Sequence, residues 1–154
     1  MNVLLRVTGV GKLMSFYRYI YLNQPRLTRL AGIALIAAVG TVHLVEAPRH
    51  FGAAAYLGVL FVINFAATLV SAAGIFRGAK NWGWTLGALI SGLSALAYLA
   101  SRLFSLPGFA EAAGEWDEPA GSLAMILEGL FLAGWFSVIT GLAVAAPEER
   151  SWHD

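Results

Sequence analysis

The chain is 154 residues long, 58% hydrophobic and 12% charged, with a formal net charge of +1 and no cysteine. So much apolar surface exceeds what a soluble domain of this length buries, so a bilayer is the expected solvent. The missing thiols exclude disulfides, cysteine nucleophiles and cysteine metal cages, and no basic surface suits nucleic acid.

Residues 1–24 come first. Arg6, Lys12 and Arg18 interrupt them too often for the apolar region of a signal peptide, and no small-residue cleavage site follows, so the segment is expected to stay on the chain. On a helical wheel Lys12, Ser15 and Arg18 share one side and Leu13, Phe16, Tyr17, Ile20 and Tyr21 the other. That pattern predicts an amphipathic helix lying on the cytoplasmic membrane surface, or else packed on the outside of the bundle.

Residues 25–146 hold four stretches of the ~20 apolar residues that cross a bilayer: Leu27 to Ala47, Ala53 to Phe76, Trp82 to Phe104 and Pro119 to Ala146. The expected fold class is all-α, a four-helix transmembrane bundle with an N-terminal interfacial helix, its partner the lipid bilayer and its residues 147–154 a cytoplasmic tail. Eight of the ten Lys and Arg residues precede the first span or lie in its first turn, lie between the second and third or follow the fourth. The positive-inside rule then places both termini in the cytoplasm. The opposite face carries Glu46, Glu111, Glu115, Asp117 and Glu118, while Trp82, Trp84 and Trp116 suit the headgroup belts.

Helical spacing says what points inward. Gly87, Ser91, Ser94, Tyr98, Ser101, Arg102 and Ser105 fall on one arc of the third span, and Asn64, Thr68 and Ser71 on one arc of the second. Lipid offers these groups no partner, so both arcs should face other helices, with the hydroxyls returning bonds to backbone and Gly83 to Gly87 giving a GxxxG spacing. In the fourth span Glu128 lies nine residues past Pro119, ~13 Å into the membrane, where an ionisable residue is a candidate functional group. Gly129, Ala133, Ser137 and Thr140 form a different arc, so one of the two faces is expected to meet the bundle and the other a homo-oligomeric copy or a membrane-protein partner.

The richest polar stretch is Thr41 to Gly52, TVHLVEAPRHFG. His43 and Glu46 share a helix face, and Pro48 is expected to end the first span and open the next element, folding His50 back over the outer end. Three readings compete for this region. In the first, Arg102 neutralises Glu128 or Glu46 in a structural ion-pair network, with the histidines bonded at the interface. In the second, His43, Glu46, His50 and Glu128 hold copper, zinc or iron, although H-x2-E-x3-H is not an established ligand signature and Arg102 would oppose a cation. Haem fits less well, because both imidazoles lie on one turn. In the third, a lipid or quinone occupies a pocket between the helices, with Tyr98, Ser101, Arg102 and Asn64 as polar contacts. The loop from Ser105 to Glu118 is placed to cap the cluster, with Glu118 capping the last helix, and His153 falls on the far side of the membrane.

The runs His43 to Phe51 and Tyr56 to Phe61, with Trp82-Gly83-Trp84, Ser101-Arg102 and Leu106-Pro107-Gly108, resemble a group of small four-helix bacterial membrane proteins of uncharacterised function. The resemblance covers spans one to three and the start of the following loop. It implies the fold and a bacterial cytoplasmic membrane, and no activity. No nucleophile elbow, phosphate loop or zincin helix is present, so an enzyme is expected only as a metal-dependent one, and a non-enzymatic binding or accessory subunit is the leading expectation.

Overall fold

A computed structural model describes residues 24–78 and 81–145. The expected interfacial helix, the tail and His153 lie outside the described residues. Four helices carry the fold: α1 Pro25–Ala53, α2 Ala55–Phe76, α3 Trp82–Leu103 and α4 Pro119–Ile139, with a 3-10 turn at Ala110–Ala112 before α4. All four are long and apolar enough to cross a membrane, and the chain is a multi-pass membrane protein. Large side chains such as Leu30, Leu69, Leu89 and Ile126 point outward, as lipid-facing residues do.

The helices stand at the corners of a square. α1 packs most extensively on α2, α4 lies against α1 and α3, and α2 and α4 occupy opposite corners. One end of the bundle, here the basic end, carries Arg26, Arg29, Arg77 and Asn81. The other, the acidic end, carries the α1–α2 junction and the connection 104–118 with its carboxylates.

Small residues draw the basic end together. A Cβ on Gly83 would sit 2.5 Å from Ile75 N and 2.6 Å from Gly74 C, so only glycine permits this crossing of α2 and α3. Ser71 donates across it to the Gly83 carbonyl at 2.7 Å. Gly32 receives the Trp84 indole and Gly87 the Phe131 ring, and Trp84 and Phe131 stack at 5.6 Å around Ile36, Val39 and Ile75. The dry core therefore occupies this half.

Two boundaries differ from expectation. α1 runs through Pro48 to Ala53. The proline leaves the Leu44 carbonyl without its helical donor, but Pro48 and Leu44 are both exposed near the end of the span, where water or headgroups can reach that oxygen. At the other boundary, α4 stops at Ile139 although apolar residues continue to Ala146, because Gly141 turns left-handed at φ +73° and reverses the chain.

Candidate functional site

Straight continuation of α1 places His50 two turns beyond His43 on one buried face. Seven residues at 1.5 Å each set the two backbone positions about 10 Å apart along the axis, and the Phe61 ring lies against both imidazoles. Two ligands of one zinc or copper ion lie within about 4 Å of each other. The expected fold-back of His50 does not occur, and Phe61 fills the space beside both rings, stacked on His50 at 3.8 Å and tilted against His43 at 5.0 Å. Glu46 turns toward Arg49, 3.6 Å away. Among the described residues no three His, Asp or Glu side chains gather around a point that a metal ion could occupy, so His43, Glu46, His50 and Glu128 do not form the anticipated ligand set.

Arg102 also differs from expectation. It pairs with Glu118, the N-cap residue of α4, rather than with Glu128 or Glu46. Its Nη1 donates to the Ala112 carbonyl at 3.1 Å, and the guanidinium carbon lies 4.6 Å from the centre of the Tyr98 ring. Exposed Arg49 reaches the other oxygen of Glu118. Depth explains the exchange: Arg102 ends α3 and Glu118 starts α4 at one level, whereas Glu128 lies ten residues, about 15 Å, deeper. Glu118 makes no capping bond, since both oxygens are committed to arginines. Tyr56 donates to the Pro107 carbonyl at 2.9 Å and fastens the connection across the acidic end.

Beneath this clasp the helices part. A cavity of about 860 Å³ lies between α1, α2, α3 and α4, walled mainly by carbon, with His43, His50, Asn64, Tyr98, Ser101, Arg102 and Glu128 among its lining residues. Its wall includes Leu60 and Ile63 on α2 and Leu93 on α3, each more than half exposed. The seam that glycines close at the basic end is therefore open toward lipid at this level, and the cavity has a lateral mouth.

The floor consists of His43, Ser94 and Glu128. His43 Nδ1 lies 2.9 Å from the Val39 carbonyl, which only accepts, so Nδ1 carries a proton and donates. In the neutral ring Nε2 then holds the lone pair, and the Ser94 hydroxyl donates to it at 2.8 Å. Glu128 is 1% exposed, its Oε1 lies 3.8 Å from the same Nε2, and that oxygen has no hydrogen-bond partner. His50 is fixed in the same way, Nδ1 lying 3.0 Å from the Glu46 carbonyl. Asn64 Oδ1, on the α2 wall, is buried and unpaired as well. The Ser94 hydroxyl lies beside the Glu128 carboxyl as well as the imidazole, and its one proton can serve either.

Of the pocket residues expected from sequence, Tyr98, Ser101, Arg102 and Asn64 all line the cavity, although the Ser101 hydroxyl is spent on the Tyr98 carbonyl at 2.7 Å. Thr68 and Ser71 are buried as their arc predicts. The other arc of α4 faces out, with open space beside Gly129 and Ala133 exposed. Ser94 and Phe61 were not singled out as site residues. A depth count finds Ser94: His43 lies ten residues from the end of α1, Ser94 nine from the end of α3 and Glu128 nine from the start of α4, all on one level. No family model, curated protein or solved structure matches the chain.

Proposed function

We propose that the chain is a non-enzymatic binding or accessory protein that holds a lipid-soluble amphiphile, a lipid or quinone-type molecule, between its helices. The observation that carries this reading is the cavity of about 860 Å³, open sideways to the bilayer and floored by a buried carboxyl with an unpaired oxygen. Its size falls within the range of small-molecule sites, and the mixture of apolar wall and few convergent polar groups is typical of them. A lateral mouth suits a ligand that arrives through the membrane.

The membrane is read as a bacterial cytoplasmic one, on the resemblance of the His43 to Phe51 run, with both termini cytoplasmic on the distribution of basic residues. The cavity would then open in the half nearer the extracytoplasmic face.

Mass spectrometry of the organic extract from detergent-purified protein tests the proposal. One amphiphile should be enriched to near stoichiometric amount over bulk lipid. Ala124→Phe, one turn from Glu128 in the cavity wall, should remove it while the helical circular dichroism is retained. An extract with bulk lipid composition in both proteins would overturn the reading.

A further inference from the structure

Each helix contributes one polar side chain at a common level: His43 on α1, Asn64 on α2, Ser94 on α3 and Glu128 on α4, nine or ten residues from the acidic end of each helix. At 1.5 Å per residue that level lies about 15 Å into the membrane. We infer that His43, Ser94 and Glu128 form a proton-binding unit, which holds one exchangeable proton and passes it between the Glu128 carboxyl and the His43 imidazole through the Ser94 hydroxyl. Its ligand is a proton rather than an amphiphile, so the site goes beyond the binding function proposed above.

The hydrogen bonds supply the path. His43 Nδ1 is committed to the Val39 carbonyl at 2.9 Å, which leaves Nε2 as the nitrogen that gains or loses a proton. The Ser94 hydroxyl lies 2.8 Å from Nε2 and is also a hydrogen-bond partner of the Glu128 carboxyl. Nε2 and Glu128 Oε1 are 3.8 Å apart, too far for a direct bond, so the serine is the bridge. In one state the protonated carboxyl donates to Ser94 Oγ, whose own proton goes to Nε2. In the other the imidazolium Nε2–H donates to Ser94 Oγ, whose proton goes to the carboxylate. Passing from the first to the second breaks the Glu128 O–H bond and forms the Nε2–H bond, while the serine gives up one proton and takes another. The electron pair of the broken bond stays on the carboxylate, and the Nε2 lone pair becomes the new bond. Both states keep every link of the chain filled.

Burial sets the count at one proton. Glu128 is 1% exposed and His43 6%. With no proton the pair is a carboxylate beside a neutral ring, and with two it is an imidazolium beside a neutral acid. Either leaves a buried charge without a partner. With one proton the pair is neutral in sum, as two neutral groups or as an ion pair. The other titratable groups of the four helices lie at other levels. On α1 Glu46 turns to Arg49, His50 stacks on Phe61, and Arg26 and Arg29 sit at the basic end. α2 offers Tyr56, fastened to Pro107. Tyr98 and Arg102 of α3 and Glu118 before α4 belong to the clasp, with Arg102 eight residues or about 12 Å from Ser94 along the helix.

The test uses the full chain, with isotope-labelled histidine, in proteoliposomes. Solid-state nitrogen NMR reads the proton on His43 Nε2, assigned by difference from His43→Leu. Infrared spectroscopy reads protonated Glu128 from the carbonyl stretch of a carboxylic acid, assigned by difference from Glu128→Gln. From about pH 5 to about pH 8, where an ordinary histidine titrates, the two proton fractions should sum to one throughout. In His43→Leu the acid band of Glu128 should persist at about pH 8, and in Glu128→Gln Nε2 should carry no proton at about pH 5. Ser94→Ala should shift the signal of whichever group holds the proton, because its bonded partner is gone. Ser94→Thr, which keeps a hydroxyl, should leave that signal in place.

A carboxylate beside a neutral imidazole, or two protons on the pair, anywhere in that window overturns the inference. So does loss of the acid band in His43→Leu or a protonated Nε2 in Glu128→Gln. Signals unmoved by Ser94→Ala overturn the passage through the serine. Should a variant fail to fold by circular dichroism, the wild-type sum still decides the inference. Neither readout involves an amphiphile, so failure here leaves the binding pocket standing.

Discussion

Glu118 holds two arginines of unequal burial, and the inequality predicts unequal effects. The Arg49 side chain is 67% exposed and that of Arg102 3% exposed. Arg49→Ala removes a solvated ion pair and leaves Glu118 bonded to Arg102, so it should cost no more than about 1 kcal/mol. Glu118→Ala instead strands the Arg102 guanidinium with the Ala112 carbonyl and the Tyr98 ring. Leaving a buried charge without its partner costs about 3–5 kcal/mol. Removing that charge as well, in Glu118→Ala/Arg102→Met, should recover much of the loss, because an apolar side chain replaces a buried ion pair with little penalty. Unfolding in mixed micelles of mild detergent and SDS, followed by circular dichroism, measures all three. Equal losses for Arg49→Ala and Glu118→Ala, or a double variant less stable than Glu118→Ala alone, would refute the reasoning.

The remaining predictions use the same unfolding assay unless stated. Gly83→Ala should cost about 1–3 kcal/mol by forcing α2 and α3 apart, while Gly92→Ala, with open space around its Cβ, should be neutral or stabilise by up to about 1 kcal/mol; equal effects would contradict the close crossing. Pro48→Ala should stabilise by about 1–3 kcal/mol, because it restores a donor to the Leu44 carbonyl within a continuous helix, and a loss would show that α1 needs the proline there. Because the chain has no cysteine, Glu111→Cys and Arg77→Cys each give a single thiol for a membrane-impermeant maleimide applied to intact spheroplasts. Labelling of Glu111→Cys alone is the outcome the charge distribution predicts, and labelling of Arg77→Cys alone would invert the topology.

The spans were legible because hydropathy and length are set by the bilayer and need no knowledge of neighbours. α2 and α3 match their expected limits within two residues. Pro48 misled because its effect depends on surroundings: the carbonyl it orphans lies on an exposed turn near the membrane surface, and the helix continues. From that one boundary followed the misplacement of His50, and with it the idea of gathered metal ligands. Arg102 needed a partner, and Glu128 or Glu46 was expected, whereas the common level of the ends of α3 and α4 gives it Glu118. Glu128 was identified as a buried ionisable group from its depth. Its neighbours His43 and Ser94 required combining depth with the square arrangement of helices, which no single-helix periodicity contains. Four of the cavity's polar residues were legible, but its size and position were not, since it arises where the glycine-closed seam of α2 and α3 stops.

The most direct test of the central claim asks where an amphiphile meets the protein in a bilayer. A long-chain alcohol bearing a diazirine midway along its chain is irradiated in proteoliposomes, and its adducts are mapped by peptide mass spectrometry. Labelling concentrated at Asn64, Ile90, Leu93 and Ala97, with competition by excess unlabelled alcohol, is the predicted result. Adducts spread over the lipid-facing side chains of Leu69, Leu89 and Ile126 without competition would contradict a specific site between the helices.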